Sequence, residues 1–275
     1  MKKNIFYAVL AMATLTITSC TKEKLVDDTI IDYVEIPDPK FETELINLGI
    51  DSDGIINQKI LKSDAEAVEK LSLYSSGINT LAGIEGFVNL KRLDAAANNL
   101  ITVNLSKNVL LDTINLGFND LTSVSGLSKA KNLEWLSLSG NLFTEFTLDN
   151  PNVKNLLMSH NLMVSFDASK APKLESALLT LNKIESLDFS ANPLLKVLVF
   201  SANRVKTINL DENLNLEYIY CSNNLLTDFD LSMLPNLIDV RLDRNPTLTC
   251  IKVAAGQNIP TLKLSTYQQA NENCN

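Results

Sequence analysis

Leu90-Lys91-Arg92-Leu93-Asp94-Ala95-Ala96-Ala97-Asn98-Asn99-Leu100 and Leu111-Asp112-Thr113-Ile114-Asn115-Leu116-Gly117-Phe118-Asn119-Asp120-Leu121 spell one pattern twice, L-x-x-L-x-L-x-x-N-x-L. It returns at Leu133, Leu136, Leu138, Asn141 and Phe143, and further copies open at Val153, Leu174, Leu195, Leu216 and Leu237. A degenerate first copy opens at Val68, with Ser76 at the place of the Asn. Successive openings stand 20 to 22 residues apart over nine units. A fixed period of this kind signifies a solenoid, in which each unit is covered only by its neighbours.

In x-L-x-L the alternate side chains of a short strand point to one side, and parallel stacking of such strands buries them. Asn98, Asn119, Asn141, Asn161, Asn182, Asn203, Asn224 and Asn245 follow each strand at one fixed place. Their amides suit backbone groups that turn into the interior, so the ladder reads as structural. A second apolar pair follows the turn, as in Val103 and Leu105 or Leu187 and Phe189. A period near 21 residues leaves little room for a full outer helix. The pattern resembles the leucine-rich repeat family, over most of the chain. The resemblance implies an α/β solenoid, a horseshoe with a concave parallel β-sheet, and the period predicts short extended or single-turn convex segments.

The start of the chain is an address. Met1-Lys2-Lys3-Asn4 is basic, and Ile5 to Ile17 is an apolar run shorter than the roughly 20 residues of a membrane-spanning helix. Ile17-Thr18-Ser19-Cys20 resembles a bacterial lipobox, which implies acyl chains on Cys20 and contact with a membrane through that anchor only. The charged stretch that follows, with Lys22-Glu23-Lys24 and Asp27-Asp28, resembles the surface-export signals of Bacteroidetes lipoproteins. The expected organisation is a signal peptide over 1–19, a lipidated Cys and tether over 20–36, a helical N-terminal cap over 37–67, nine repeats over 68–247 and a C-terminal cap over 248–275. The expected localisation is the cell envelope, as an outer-membrane lipoprotein.

Both ends of a repeat array expose apolar rungs and need covering. Asp38 is placed to cap a helix that begins at Pro39, carries Phe41, Leu45 and Leu48 at helical spacing, and stops at Gly49. Ser63 and Glu66 form a capping-box pattern before a second short helix. The stretch from Ile78 to Leu90 resembles the first repeats of internalin-like and Bacteroidetes surface leucine-rich repeat proteins. Beyond Asn245 the pattern breaks, and Cys250 and Cys274 stand 24 residues apart. In a chain that leaves the reducing cytosol they are expected to pair. Cys221 takes an inward strand position and is expected to be a buried free thiol.

Of 275 residues 45% are hydrophobic, enough for a sizeable core, and the formal net charge is −8. Such a surface repels phosphate backbones, so nucleic acid is not an expected partner. His160 is the single histidine, which excludes multi-histidine metal centres within the chain, and no serine or cysteine has a recognisable nucleophile elbow. Asp51-Ser52-Asp53-Gly54 has the look of a calcium-loop turn. Aligned on Asp53-Gly54, however, the strong ligand places fall on Gly49 and Ile60, and a plain turn is the better reading. No enzyme, cofactor or metal is expected.

The strand register points to a binding face. The residues flanking the inward leucines form two columns on the concave side. One runs Lys70, Arg92, Thr113, Trp135, Asn155, Ser176, Val197, Tyr218, Asp239, and the other Ser72, Asp94, Asn115, Ser137, Leu157, Leu178, Val199, Tyr220, Arg241. The middle therefore concentrates Trp135, Leu157, Leu178, Val197, Val199, Tyr218 and Tyr220, although β-propensity also favours such residues on strands. Exposed apolar patches mark contact sites, so a protein partner is expected on this face. A glycan-binding accessory lipoprotein and a structural envelope component without a sheet ligand stand as alternatives.

Overall fold

A computed structural model describes residues 32–274; the signal segment, Cys20 and the first part of the tether lie outside the described residues. Ten parallel three-residue strands build one sheet. They are Lys70–Ser72, Arg92–Asp94, Thr113–Asn115, Trp135–Ser137, Asn155–Leu157, Ser176–Leu178, Val197–Val199, Tyr218–Tyr220, Asp239–Arg241 and Thr261–Lys263. Leu71, Leu93, Ile114, Leu136, Leu156, Ala177, Leu198, Ile219 and Val240 lie side by side at the strand centres and are buried. The fold is a leucine-rich repeat solenoid whose ten strands mark repeats 1 to 10 in chain order.

The outer side is made of short extended pieces. Thr102–Asn104 pairs with Ser123–Ser125, Glu145–Thr147 with Ser165–Asp167, and Ser186–Asp188 with Thr207–Asn209, all parallel. Single turns of 3-10 helix occur at Ile84–Gly86 and Leu127–Lys129. Inner and outer layers close over one continuous core that includes Phe87, Phe143, Phe189 and Phe200.

The asparagine ladder ties each repeat to the one before it. Asn161 Nδ2 donates to Leu138 O at 3.0 Å, Met158 O at 3.2 Å and Ser159 O at 3.4 Å, while its Oδ1 accepts from Phe143 N at 3.2 Å. Asn119, Asn141, Asn182, Asn203, Asn224 and Asn245 repeat the arrangement. A second ladder runs along the outer layer. Fully buried Asn108, Asn150, Asn192 and Asn213 each donate to two carbonyls of the preceding repeat, for example Asn192 to Ala168 O and Ala171 O at 3.0 and 2.7 Å. Its signal was present in the sequence as an Asn three residues before the opening aliphatic of a repeat.

The ends depart from the sequence expectation in detail. Helix α1, Pro39–Asn47, begins at the Asp38 cap and is followed by Gly49 at φ +68°. It buries Phe41 and Leu45, with Phe41 stacked on Phe87 at a 6.1 Å centroid separation, but Leu48 is exposed because the chain has already left helical geometry there. Helix α2, Lys62–Glu66, has Leu61 at its cap and no side-chain cap bond, so Ser63 and Glu66 form no capping box. The helix opens two residues too early for Ser63 to serve.

At the other end the sheet runs past the ninth repeat into Thr261–Lys263, which pairs with Asp239–Arg241. Glutamines replace asparagines in this last turn. Gln268 Nε2 reaches Leu242 O at 3.1 Å, and Gln257 Nε2 reaches Leu231 O and Leu234 O at 3.0 Å each. The longer side chain spans a wider gap, which is why the pattern was lost to view. Cys250 and Cys274 form a disulfide with Cα atoms 5.7 Å apart, next to the pairing of Cys250–Lys252 with Gln269–Asn271. Replacing both cysteines by serine is expected to cost about 3 kcal/mol in urea unfolding. Amide exchange should accelerate first over residues 246–274; unchanged protection there would refute the stapling role.

Candidate functional site

The concave columns are built by strands too short to do anything but alternate. In the second column Leu157, Leu178, Val199 and Tyr220 stand on consecutive strands, each the direct lateral neighbour of the next. In the first, Val197 is the neighbour of Tyr218. All six are half-buried, and together they form one apolar stripe over repeats 5 to 8. Trp135 is not part of it. Asn155 and Ser176 separate it from Val197 by three strand spacings, about 14 Å.

Trp135 instead stands between two hollows in the first half of the sheet. One, of about 670 Å³, is lined by Arg92, Asp112, Glu134, Lys154, Asn155 and Lys173 besides Trp135. The other, of about 630 Å³, is bounded by Leu48, Ile50, Lys70, Arg92 and Asp94 as well as Trp135. The exposure of Leu48 thus gives the second hollow an apolar wall, which helical spacing had assigned to the core.

The stripe ends on a fixed polar group. Tyr220 Oη donates to Asp239 Oδ2 at 3.0 Å, Arg241 binds Asp239 through Nη2 at 2.9 Å and Nε at 3.2 Å, and the guanidinium lies 4.3 Å from the Tyr220 ring centroid. Burial, then the bond to Asp239, pushes the Tyr220 phenol up. The Arg241 bond holds Asp239 below the usual carboxylate range. Tyr220 is therefore tied to Asp239 through its hydroxyl and covered on its ring by Arg241.

Charged pairs border the sheet on the side where the strands begin. Lys91 meets Glu69 at 2.7 Å, Lys154 meets Glu134 at 2.8 Å and Lys196 meets Glu175 at 3.0 Å, each between neighbouring repeats. Such exposed pairs contribute little to stability, but they set a polar rim beside an apolar stripe. The pairing follows a single position, the residue after each opening aliphatic, whose signs alternate irregularly along the sequence and so give no fixed motif.

The remaining chemistry-bearing residues lie elsewhere. His160 is exposed on the turn edge, at φ +58°. Cys221 is a buried free thiol whose desolvation pushes it up. Asp53 closes its turn by accepting from Ile55 N and Asn57 Nδ2, both at 2.8 Å. Neighbouring Asp51 is buried, and burial followed by the charges of Asp53, Glu42 and Asp64 raises its carboxyl. Among the described residues no group of three or more His, Cys, Asp or Glu side chains is arranged to hold a metal ion.

No protein-family model and no curated relative matches the sequence. Solved structures do resemble the fold. The functional domain of InlJ from Listeria monocytogenes, which includes a cysteine ladder, is 22% identical with a TM-score of 0.60, covering 88% of this chain and 62% of that one. A leucine-rich repeat protein of Leptospira interrogans is 22% identical with a TM-score of 0.53, covering 70% and 57%. TLR13, in its complex with ssRNA13, is 21% identical with a TM-score of 0.57, covering 72% and 34%. The chain thus spans less than two thirds of each of these proteins. What they share with it is the leucine-rich repeat solenoid.

Proposed function

We propose that this is a lipid-anchored protein of the bacterial cell envelope that recognises another protein through its concave sheet. One observation carries the reading: the contiguous stripe of Leu157, Leu178, Val199, Tyr220, Val197 and Tyr218, half-buried and bordered by ion pairs. A solvated face gains nothing from such a stripe, whereas an apolar centre within a polar rim is the anatomy of a binding surface. The lipobox-like Ile17 to Cys20 supports the anchor. The acidic balance argues against a nucleic-acid partner; the fold alone does not, since TLR13 carries RNA on the same architecture. Catalysis forms no part of the proposal.

Alanine at Tyr218 and Tyr220 tests it. Hot-spot residues cost roughly 1 to 4 kcal/mol each on truncation, so capture of the partner from cell envelopes should be abolished in the double variant while the melting transition hardly moves. Retention of the wild-type partner by that variant would take the site off the sheet. A glycan reading has its own support in Trp135 beside the polar hollow of Arg92, Lys154 and Asn155. It predicts that polysaccharide shifts Trp135 fluorescence, and that Trp135→Ala alone removes binding.

A further inference from the structure

The residue before each ladder asparagine lies in left-handed backbone space, with φ of 55° at Phe118, 67° at Gly140 and 58° at His160 and Leu181. Glycine suits that conformation, and bulky side chains pay for it in steric strain. Repeats 3 and 6 nevertheless place Phe118 and Leu181 there, both exposed. The Phe118 ring lies along the edge over Gly140, where a Cβ would stand 2.8 Å from its Cδ1. One place past the ladder asparagine, Leu142 and Leu162 of neighbouring repeats are exposed as well. The same φ recurs at this place at Ser75, Ala97, Ala202, Asn223 and Arg244, so what singles out this stretch is its exposed apolar bulk, which marks a contact surface.

We propose that this turn edge is a self-association surface and that its occupant is a second copy of the chain, packed antiparallel. The position after the ladder asparagine reads Asp120, Leu142, Leu162, Lys183 on successive repeats, acidic at one end and basic at the other. Neither charge belongs to an ion pair among the described residues, unlike the charges along the opposite rim. A two-fold axis crossing the solenoid between Leu142 and Leu162 sets Asp120 against the partner's Lys183 twice, and each Leu142 on the partner's Leu162. It also brings Phe118 opposite the partner's Leu181. Parallel packing would set acid on acid and base on base, so the charge order selects the antiparallel register. The line from Asp120 to Lys183 spans three repeat spacings, about 14 Å, which makes the contact small and the dimer weak. Being on the edge, it leaves both concave faces open and doubles the recognition surface.

Sedimentation equilibrium of the full chain tests this. The wild type should show a concentration-dependent monomer–dimer equilibrium. Leu142→Glu with Leu162→Glu should weaken it roughly a hundred-fold, because four carboxylates then meet in the contact. Asp120→Lys alone or Lys183→Asp alone should weaken it roughly ten-fold, and the two together should restore it, since the exchanged charges again face each other. All four positions are exposed, so melting should not change; should the leucine pair melt early, the charge exchange decides by itself. A wild type that stays monomeric, a dimer indifferent to the leucine pair, or charge variants that do not rescue each other would each overturn the proposal.

Discussion

Asn161→Ala is expected to remove about 3 kcal/mol of stability. The side chain is buried, and its loss leaves Phe143 N without a partner inside the solenoid and takes one of two amide donors from Leu138 O and from Met158 O, which Asn141 and Asn182 still reach. Each such buried group costs about 1 to 3 kcal/mol when unsatisfied. Water cannot enter without opening the junction between repeats 4 and 5. Because a solenoid holds together only through nearest-neighbour contacts, a defect at the fifth of ten repeats weakens the coupling of the two halves. Urea unfolding should show a lower midpoint and a broader transition. Asn161→Asp keeps the shape but loses the donors and should fare no better. Asn236→Ala is the control, since its exposed Nδ2 bond to Leu214 O competes with water and should matter by less than about 0.5 kcal/mol. Equal effects at Asn161 and Asn236 would mean that the ladder does not couple the repeats.

The repeat was legible because its two determinants, an inward aliphatic every second residue and an amide at a fixed offset, are local and recur. What was misread depends on distance in space. Trp135 shares a column with Val197 and Tyr218, yet the residues that intervene, Asn155 and Ser176, decide its company, and they place it by Arg92 and Lys154. The tenth strand escaped because Gln268 does the work of an asparagine with one more methylene. Ser63 and Glu66 carried a correct local signal at a site where the preceding strand Lys59–Leu61 runs straight into the helix, leaving no turn for a cap to close. The Phe118 edge had no signal in the pattern at all, since the fold accepts any residue at that place and only backbone dihedrals reveal the cost.

Asp38→Ala is expected to lower stability by about 3 kcal/mol and to loosen the first repeats before the rest, because this one carboxylate joins two elements. Its Oδ1 accepts from Lys40 N at 2.9 Å and Phe41 N at 3.3 Å, capping α1. Its Oδ2 accepts from Asn79 N at 2.7 Å and Thr80 N at 3.1 Å, in the turn of repeat 1. A helix cap alone contributes about 1 kcal/mol, and two further charge-assisted bonds about 1 kcal/mol each. Asp38→Asn should lose only part of this, because its amide oxygen still caps the helix while its Nδ2 faces two N–H groups it cannot accept from. The pH dependence separates clamp from filler. Burial would push the Asp38 carboxyl up, but the four N–H groups outweigh it and hold it below the ordinary carboxylate value. A group with a depressed folded pKa stabilises the fold above its unfolded pKa, about 3.9, and that contribution drains away as pH falls through the folded value. The stability gap between wild type and Asp38→Asn should therefore be full at neutral pH and shrink below about pH 4. A gap that stays constant into acid would show that Asp38 holds α1 to the first repeat by shape rather than by charge.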